Sequence, residues 1–313
     1  MRDALKIAII GKDPAIPLLL QALLRWDQRT AISVVDEAYR PAVSDYAFSQ
    51  YYHSRAIIQG TTYATCKEAE IAIFFQEEMN DLDLSGNLEL LQSKVKKMMQ
   101  SGFYGKVIVA TKYSNEAASE IKRLSGLPAQ NIIAIGTLLL TRFVQFQLAT
   151  KFQVSSENVH SYVIGDSEAH TLPLWSRSYI GVKPLLTYIA EQNELFSPGD
   201  LQQLEQNLAD VTALDQLSFG MESALVFGIT EILEAIAFDQ SKVLTVGIEV
   251  NTKYAVPEPL FLSLPAVIAK EGVKNVLEIK LSEQEQKNLD QIVAAHLANP
   301  IWSGKEGEGT HGI

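Results

Sequence analysis

Polar residues of catalytic type crowd into one short run. Ser167, Glu168 and His170 follow the strand-like run at residues 159–164, and an imidazole near a carboxylate can pass protons near neutral pH. A second place for chemistry lies near the N-terminus, where the β-rich run at 6–10 meets Gly11-Lys12-Asp13-Pro14-Ala15-Ile16. A turn that cradles a dinucleotide pyrophosphate uses three glycines: one for the tight bend, one for close backbone approach to the phosphates and one for helix–strand packing. Gly11 meets the first requirement, but Asp13 and Ile16 stand at the other two positions. Asp13 followed by Pro14 spells a helix N-cap and a first-turn proline. Its carboxylate would occupy, or repel an anion from, the helix N-terminus where pyrophosphate normally sits. Lys12 offsets part of that charge, which keeps dinucleotide binding open as an alternative.

The elements that must position these groups follow from the hydrophobic pattern. Short β-rich runs at 6–10, 31–35, 71–75, 106–110 and 132–135 alternate with amphipathic helical runs at 14–26, 42–52, 88–100 and 115–124. This is the pattern of a parallel sheet with crossover helices, a Rossmann order. The second half departs from that rhythm, with a helix at 138–151, a strand at 159–164, a helical pair around 200–209 and 218–237, and strands near 243–250 and 259–263. A last strand at 276–281 leads into a helix from Ser282, where Ser282 and Glu285 form a capping-box pattern ahead of Leu289, Ile292 and Val293. The expected class is α/β, with a Rossmann-type parallel-sheet domain over residues 1–137 and an α+β C-terminal domain over 138–313. The Gly-rich polar tail at 303–313 is expected to fray.

Composition narrows the function classes. The 313 residues are 47% hydrophobic and 20% charged, with a net charge of −11, which argues against nucleic acid or an anionic membrane as partner. No charged leader precedes the first strand, and no apolar run is long enough to span a bilayer. A single cysteine, Cys66, allows neither an internal disulfide nor a cysteine-based metal cage, and suits a reducing cytoplasm. Cys66 reads as a small buried residue, and no metal is expected.

Several stretches carry a family likeness: Met99-Gln100-Ser101-Gly102-Phe103, Val109-Ala110-Thr111, Ser125-Gly126-Leu127-Pro128, Ile135-Gly136-Thr137, Leu172-Pro173-Leu174-Trp175-Ser176, Val243-Leu244-Thr245-Val246 and Leu264-Pro265-Ala266-Val267-Ile268. Together with the central segment 158–182 they resemble the L-lactate dehydrogenases of bacteria and the related malate dehydrogenases, over nearly the whole chain. The resemblance implies a C-terminal domain of that type, NAD as cofactor, and a dimer or tetramer. That assembly is either a homo-oligomer or a hetero-oligomer with an active relative.

It also implies where the catalytic groups should stand. In the family a strand ending in Gly-Glu-His-Gly-Asp delivers the catalytic histidine, and the gapless match here is Gly165, Asp166, Ser167, Glu168 and Ala169, with Ser167 at the histidine. The segment from Gly136 to Val144 puts Leu140 at the orienting aspartate and Phe143 at the arginine that binds the substrate carboxylate. Arg142, one helix step away, reads as a surface or interface charge. The lid stretch at 76–87 is shorter than usual, lacks arginine and carries Glu77, Glu78, Asp81 and Asp83. Using His170 instead would slip Leu172-Pro173 out of register, so His170 reads as an exposed or hydrogen-bonded loop residue. None of the family's catalytic residues is retained. For the cofactor, the resemblance leaves Gly11, Asp36 as the ribose-binding acid, and Thr111, with Lys112 in place of a family asparagine. At the sugar-bisphosphate effector site of bacterial members, His160 matches the histidine and Gln145 replaces the arginine. The expectation is a catalytically inactive relative with a structural or regulatory role in an oligomer. The alternatives are a divergent NAD-dependent oxidoreductase for another 2-hydroxy/2-oxo or less anionic substrate, using Ser167, Glu168, His170 or Lys112, and a small-ligand sensor.

Overall fold

Runs of Ile, Val and Phe between turn residues build the N-terminal sheet, because β-branched and aromatic side chains fit a pleated surface buried on both faces. The computed structural model describes residues 4–35, 55–75, 84–166, 170–192, 194–216, 221–251 and 259–298. Strands β1 (Leu5–Ile10), β2 (Thr30–Val34), β3 (Ala56–Gly60), β4 (Ile71–Phe75), β5 (Lys106–Ala110) and β6 (Ile132–Ala134) are joined through helices that include α1 (Ala15–Leu24), α2 (Leu84–Gln100) and α3 (Ser114–Ser125). They pair in parallel in the order β3-β2-β1-β4-β5-β6, the doubly wound arrangement that places ligands at the carboxyl ends of the strands.

The chain continues through α4 (Leu138–Phe152), β7 (Val159–His160), β8 (Val163–Gly165), β9 (Thr171–Pro173), β10 (Tyr179–Ile180), β11 (Lys183–Pro184), α5 (Leu185–Ala190), α6 (Pro198–Gln216), α7 (Glu222–Ala237), β12 (Lys242–Val250), β13 (Leu260–Ala269), β14 (Gly272–Val276) and α8 (Glu283–Ala298). β12 adds antiparallel to β6, and β13, β8 and β9 extend the same sheet, with β14 folded back on β13. Strands β11, β10 and β7 form a separate small sheet. The mixed α/β class and the Rossmann order are therefore as expected from the pattern.

Three expectations are corrected. β3 has no counterpart in the pattern reading, because it is a short edge strand whose Ile57 and Gln59 face outward. The single strand expected at 159–164 is two strands in different sheets: Ser161 is fully buried and its hydroxyl bonds that of Ser178 at 2.8 Å, which takes the chain out of extended pairing. The strand expected at 276–281 lies earlier, at β14. Beyond Val276 the partner strand offers Pro265, which accepts from Leu277 N–H at 3.0 Å but has no N–H to return, so the ladder ends. The helical run at 42–52 and the tail at 303–313 lie outside the described residues.

One apolar core joins α1, α7 and α8 to the sheet, and another fills the C-terminal half between α4, α6 and β8. Cys66 is fully buried, and burial pushes its thiol up to about 11, so it is a packing residue rather than a nucleophile. No helix among the described residues is long and apolar enough to cross a membrane.

Candidate functional site

The turn after β1 is built around Gly11. Its φ is +116°, and a Cβ there would lie 2.2 Å from the carbonyl oxygen of Phe75 at the end of β4, so only glycine fits. The next two turn positions serve the chain itself. The Asp13 carboxylate accepts the Ala15 N–H at 2.7 Å, and the Asp13 carbonyl accepts that of Ile16 at 3.0 Å. Asp13 thus fills the anion site of α1 from within. Burial pushes the Asp13 carboxyl above its ordinary value, against the lowering effect of the Ala15 N–H, and Glu222 at the head of α7 adds to the rise. Ile16 is fully buried in the core. The N-terminus of α1 does not fit a pyrophosphate as it stands: the Ala15 and Ile16 amides are taken by Asp13, whose carboxyl fills the place.

At the end of β5, the neighbouring crevice keeps one orphan. The hydroxyl of Thr111 is buried and has no hydrogen-bond partner among the described residues. Tyr113 adopts a left-handed conformation, φ +51°, a strained choice for a bulky residue. It turns the chain sharply into α3, with Lys112 Nζ 5.6 Å from the Tyr113 ring centre. Asp36 lies outside the described residues.

Helix α4 presents an apolar face where the resemblance places substrate chemistry. Leu140 is 5% exposed and belongs to the buried apolar cluster that also holds Val144, Val163, Ile180 and Phe196, and Phe143 packs half-buried against that cluster. The polar residues of that face are used on β8: the Val163 N–H donates to the Thr141 hydroxyl at 3.0 Å, and the Thr137 hydroxyl donates to the Val163 carbonyl. Arg142 points elsewhere. Its guanidinium bonds Glu231 of α7, with the Nε contact at 3.1 Å, and donates to Gln145 Oε1 at 2.7 Å, while Lys242 binds the same Glu231 at 2.7 Å. Desolvation opposes ionisation of Glu231, but Arg142 and Lys242 outweigh it and hold its carboxyl below the usual range. Gln145 is buried and its amide donates to the Ser161 carbonyl at 2.9 Å, so it closes backbone rather than facing a ligand. His160 is exposed on β7.

The turn after β8 gathers groups that local sequence did not single out. His170 is exposed, and its carbonyl accepts the Asp166 N–H at 2.9 Å. Ser167, Glu168 and Ala169 lie outside the described residues, as does the stretch 76–83. Asp166 itself is buried and meets His296 of α8, with Oδ2 3.2 Å from Nδ1, while Glu116 of α3 brings Oε1 to 3.7 Å from the same nitrogen. Only one signal could have pointed to His296: it continues the stripe of Leu289 and Ile292 on α8, an odd place for an imidazole. Glu116 sits in the first turn of α3, where an acid is ordinary. Nearby, Ser176 of the Leu-Pro-x-Trp-Ser run donates its hydroxyl to Glu285 at 2.6 Å, and Glu285 also accepts Ser282 N–H at 2.9 Å. The capping box is present as expected, and it doubles as a clamp on the 175–177 turn.

Comparison with known proteins places this architecture. Residues 137–308 match the model of the lactate/malate dehydrogenase α/β C-terminal domain. The L-lactate dehydrogenase of Oceanobacillus iheyensis is 30% identical over 238 residues, covering 74% of each chain. Among solved structures, the minor L-lactate dehydrogenase of Enterococcus mundtii in its ligand-bound form superposes with a TM-score of 0.87 at 22% identity, covering 96% of this chain and 98% of that one. The lactate dehydrogenase of Cryptosporidium parvum, crystallised with lactic acid and β-nicotinamide adenine dinucleotide, gives 0.84 at 21% identity over 97% and 98%.

Proposed function

The chain belongs to the lactate/malate dehydrogenase family, and on that premise we propose that it has given up 2-oxo acid reduction and serves as a structural or regulatory subunit. It does so in the cytoplasm, in a homo-oligomer or beside an active relative, with residues 1–137 as the Rossmann lobe and 138–313 as the C-terminal lobe. The observation that carries this reading is the apolar packing of Leu140 and Phe143. By resemblance these positions hold the carboxylate that orients the catalytic histidine and the cation that binds the substrate carboxylate. Reduction of a 2-oxo acid requires a proton donor at the carbonyl as well, and that position reads Ser167. General acid–base catalysis alone contributes roughly 10²- to 10⁴-fold, and oriented cations contribute further. The replacements also agree with each other. An aspartate kept at 140 without its histidine would strand a buried charge, whereas Leu140 with Ser167 strands none.

A second reading, a divergent NAD-dependent oxidoreductase for a less anionic substrate, is favoured by the glycine turn at Gly11 and the orphaned hydroxyl of Thr111. It requires a dinucleotide to displace the Asp13 cap. Isothermal titration with NADH, run beside pyruvate and oxaloacetate turnover against an active L-lactate dehydrogenase, separates the two. The proposed role expects no turnover, no micromolar NADH binding, and co-elution with, or altered kinetics of, the active relative. Turnover within about 100-fold of the control would exceed what a site lacking its acid–base group can give and would overturn it. Micromolar binding without pyruvate or oxaloacetate turnover would move the assignment to the second reading.

A further inference from the structure

We infer that Glu116, Asp166 and His296 form a binding site for one divalent transition-metal ion of the zinc type. One carboxylate oxygen of each acid and one imidazole nitrogen lie within 4.8 Å of one another. Zinc binds imidazole nitrogen and carboxylate oxygen at about 2.0–2.2 Å, so two ligands at a tetrahedral angle stand about 3.4 Å apart. The His296 Nδ1 distances of 3.2 Å to Asp166 and 3.7 Å to Glu116 bracket that spacing. Side chains of all three are buried, 4% exposed for Glu116, 8% for Asp166 and 7% for His296.

The donor set points the same way: two carboxylate oxygens and one imidazole nitrogen suit a dication of the zinc type. An imidazole ligand also selects against magnesium and calcium, which take oxygen donors. The donors come from three packed elements. Gly165, φ +113°, has no room for a side chain, because a Cβ there would meet the His170 carbonyl at 2.4 Å and Ile292 Cδ1 at 3.3 Å. This close approach seats α8 on the β8 turn, and His296 follows Ile292 by four residues on the same helix face. On the other side Asn115, fully buried, donates to the Gly165 carbonyl at 3.4 Å and to the Ser263 hydroxyl at 3.1 Å, which fixes the first turn of α3 and with it Glu116. Three protein donors leave a fourth position for water or a ligand. The site stands whether or not the chain retains catalysis.

The test is a titration of the full chain, stripped with chelator and dialysed, with Zn²⁺ alone and then with Mg²⁺. The expected result is one Zn²⁺ per chain in the micromolar range or tighter, unmatched by Mg²⁺. His296→Asn should weaken it by at least about 100-fold, the upper end of what loss of a mere outer-shell partner costs, and His170→Asn should leave it unchanged. Should His296→Asn fail to fold, Co²⁺ added to the wild type reports in its place, through the visible bands of a tetrahedral nitrogen–oxygen site. Absence of saturable Zn²⁺ binding, equal binding by a folded His296→Asn, equal competition by Mg²⁺, or Co²⁺ spectra of the hexa-aquo ion would each overturn the site, leaving the cluster as a buried structural contact between α3, the β8 turn and α8.

Discussion

Placing a carboxylate at Leu140 tests whether the pocket has truly become apolar core. The side chain is 5% exposed among aliphatic and aromatic neighbours. Leu140→Asp therefore forfeits the burial of a leucine, about 1.5–3 kcal/mol, and sets an acid where its ionised form has no water. The acid responds by raising its pKa above the unfolded value of about 3.9. Its folded state then binds more protons than the unfolded chain, so stability falls as pH rises through the window between the two values. A cost of about 3–5 kcal/mol at neutral pH follows, a large share of a typical total of about 5–15 kcal/mol. Leu140→Asn is the control, because it loses the same apolar contact and titrates nothing. Urea unfolding of both variants at pH 4.5 and pH 7.5 measures the effect. The aspartate variant should be the less stable at the higher pH, with the gap narrowing at the lower one. A Leu140→Asp protein within about 0.5 kcal/mol of wild type at neutral pH, the range of an ordinary surface change, would mean that water or a cation reaches the position, and would refute the depolarised pocket.

Two further outcomes follow from groups whose titration is perturbed. Asn caps a helix as well as Asp does, and Asp13 has a raised carboxyl. Asp13→Asn should therefore equal or exceed wild type in urea at pH 7, and its advantage should shrink as pH falls through the carboxylate range; Asp13→Ala, by contrast, should cost about 1 kcal/mol. Glu285 behaves oppositely: desolvation raises it, but hydrogen bonds from Ser176 and Ser282 win and hold it below its ordinary 4.5. Its contribution is present above that value and lost as pH falls through the folded value, so Glu285→Ala should cost about 1–2 kcal/mol at pH 7 and progressively less under acid, as followed by thermal unfolding.

Local signals were legible wherever one segment decides its own structure. The strands Ile71–Phe75 and Lys106–Ala110 are continuous apolar runs between turn residues, and their limits match the pattern at both ends. The Ser282–Glu285 box and the Asp13-Pro14 helix start are chemistry of adjacent residues, and the bonds expected of them are present. Features that depend on distant partners escaped. The break between β7 and β8 turns on Ser161 meeting Ser178, and the end of β14 turns on Pro265 in another strand. The cluster of Glu116, Asp166 and His296 draws on three elements with no common spacing rule. A sequence read segment by segment has no access to such encounters.

The positions that the resemblance assigns to ligands are mostly saturated from inside the chain. Asp13 takes the helix amide that a phosphate would take, Gln145 takes the Ser161 carbonyl, and Leu140 and Phe143 face other apolar side chains. An active site runs the other way, holding polar groups in wait for a substrate and accepting a loss of stability in return. On the proposed non-catalytic role, internal saturation at these three places is what selection for a stable scaffold would produce. Among the described residues, Thr111, with its unanswered buried hydroxyl, and the carboxylate–imidazole cluster at the β8 turn stand apart from this pattern. The NADH and Zn²⁺ titrations address those two places separately.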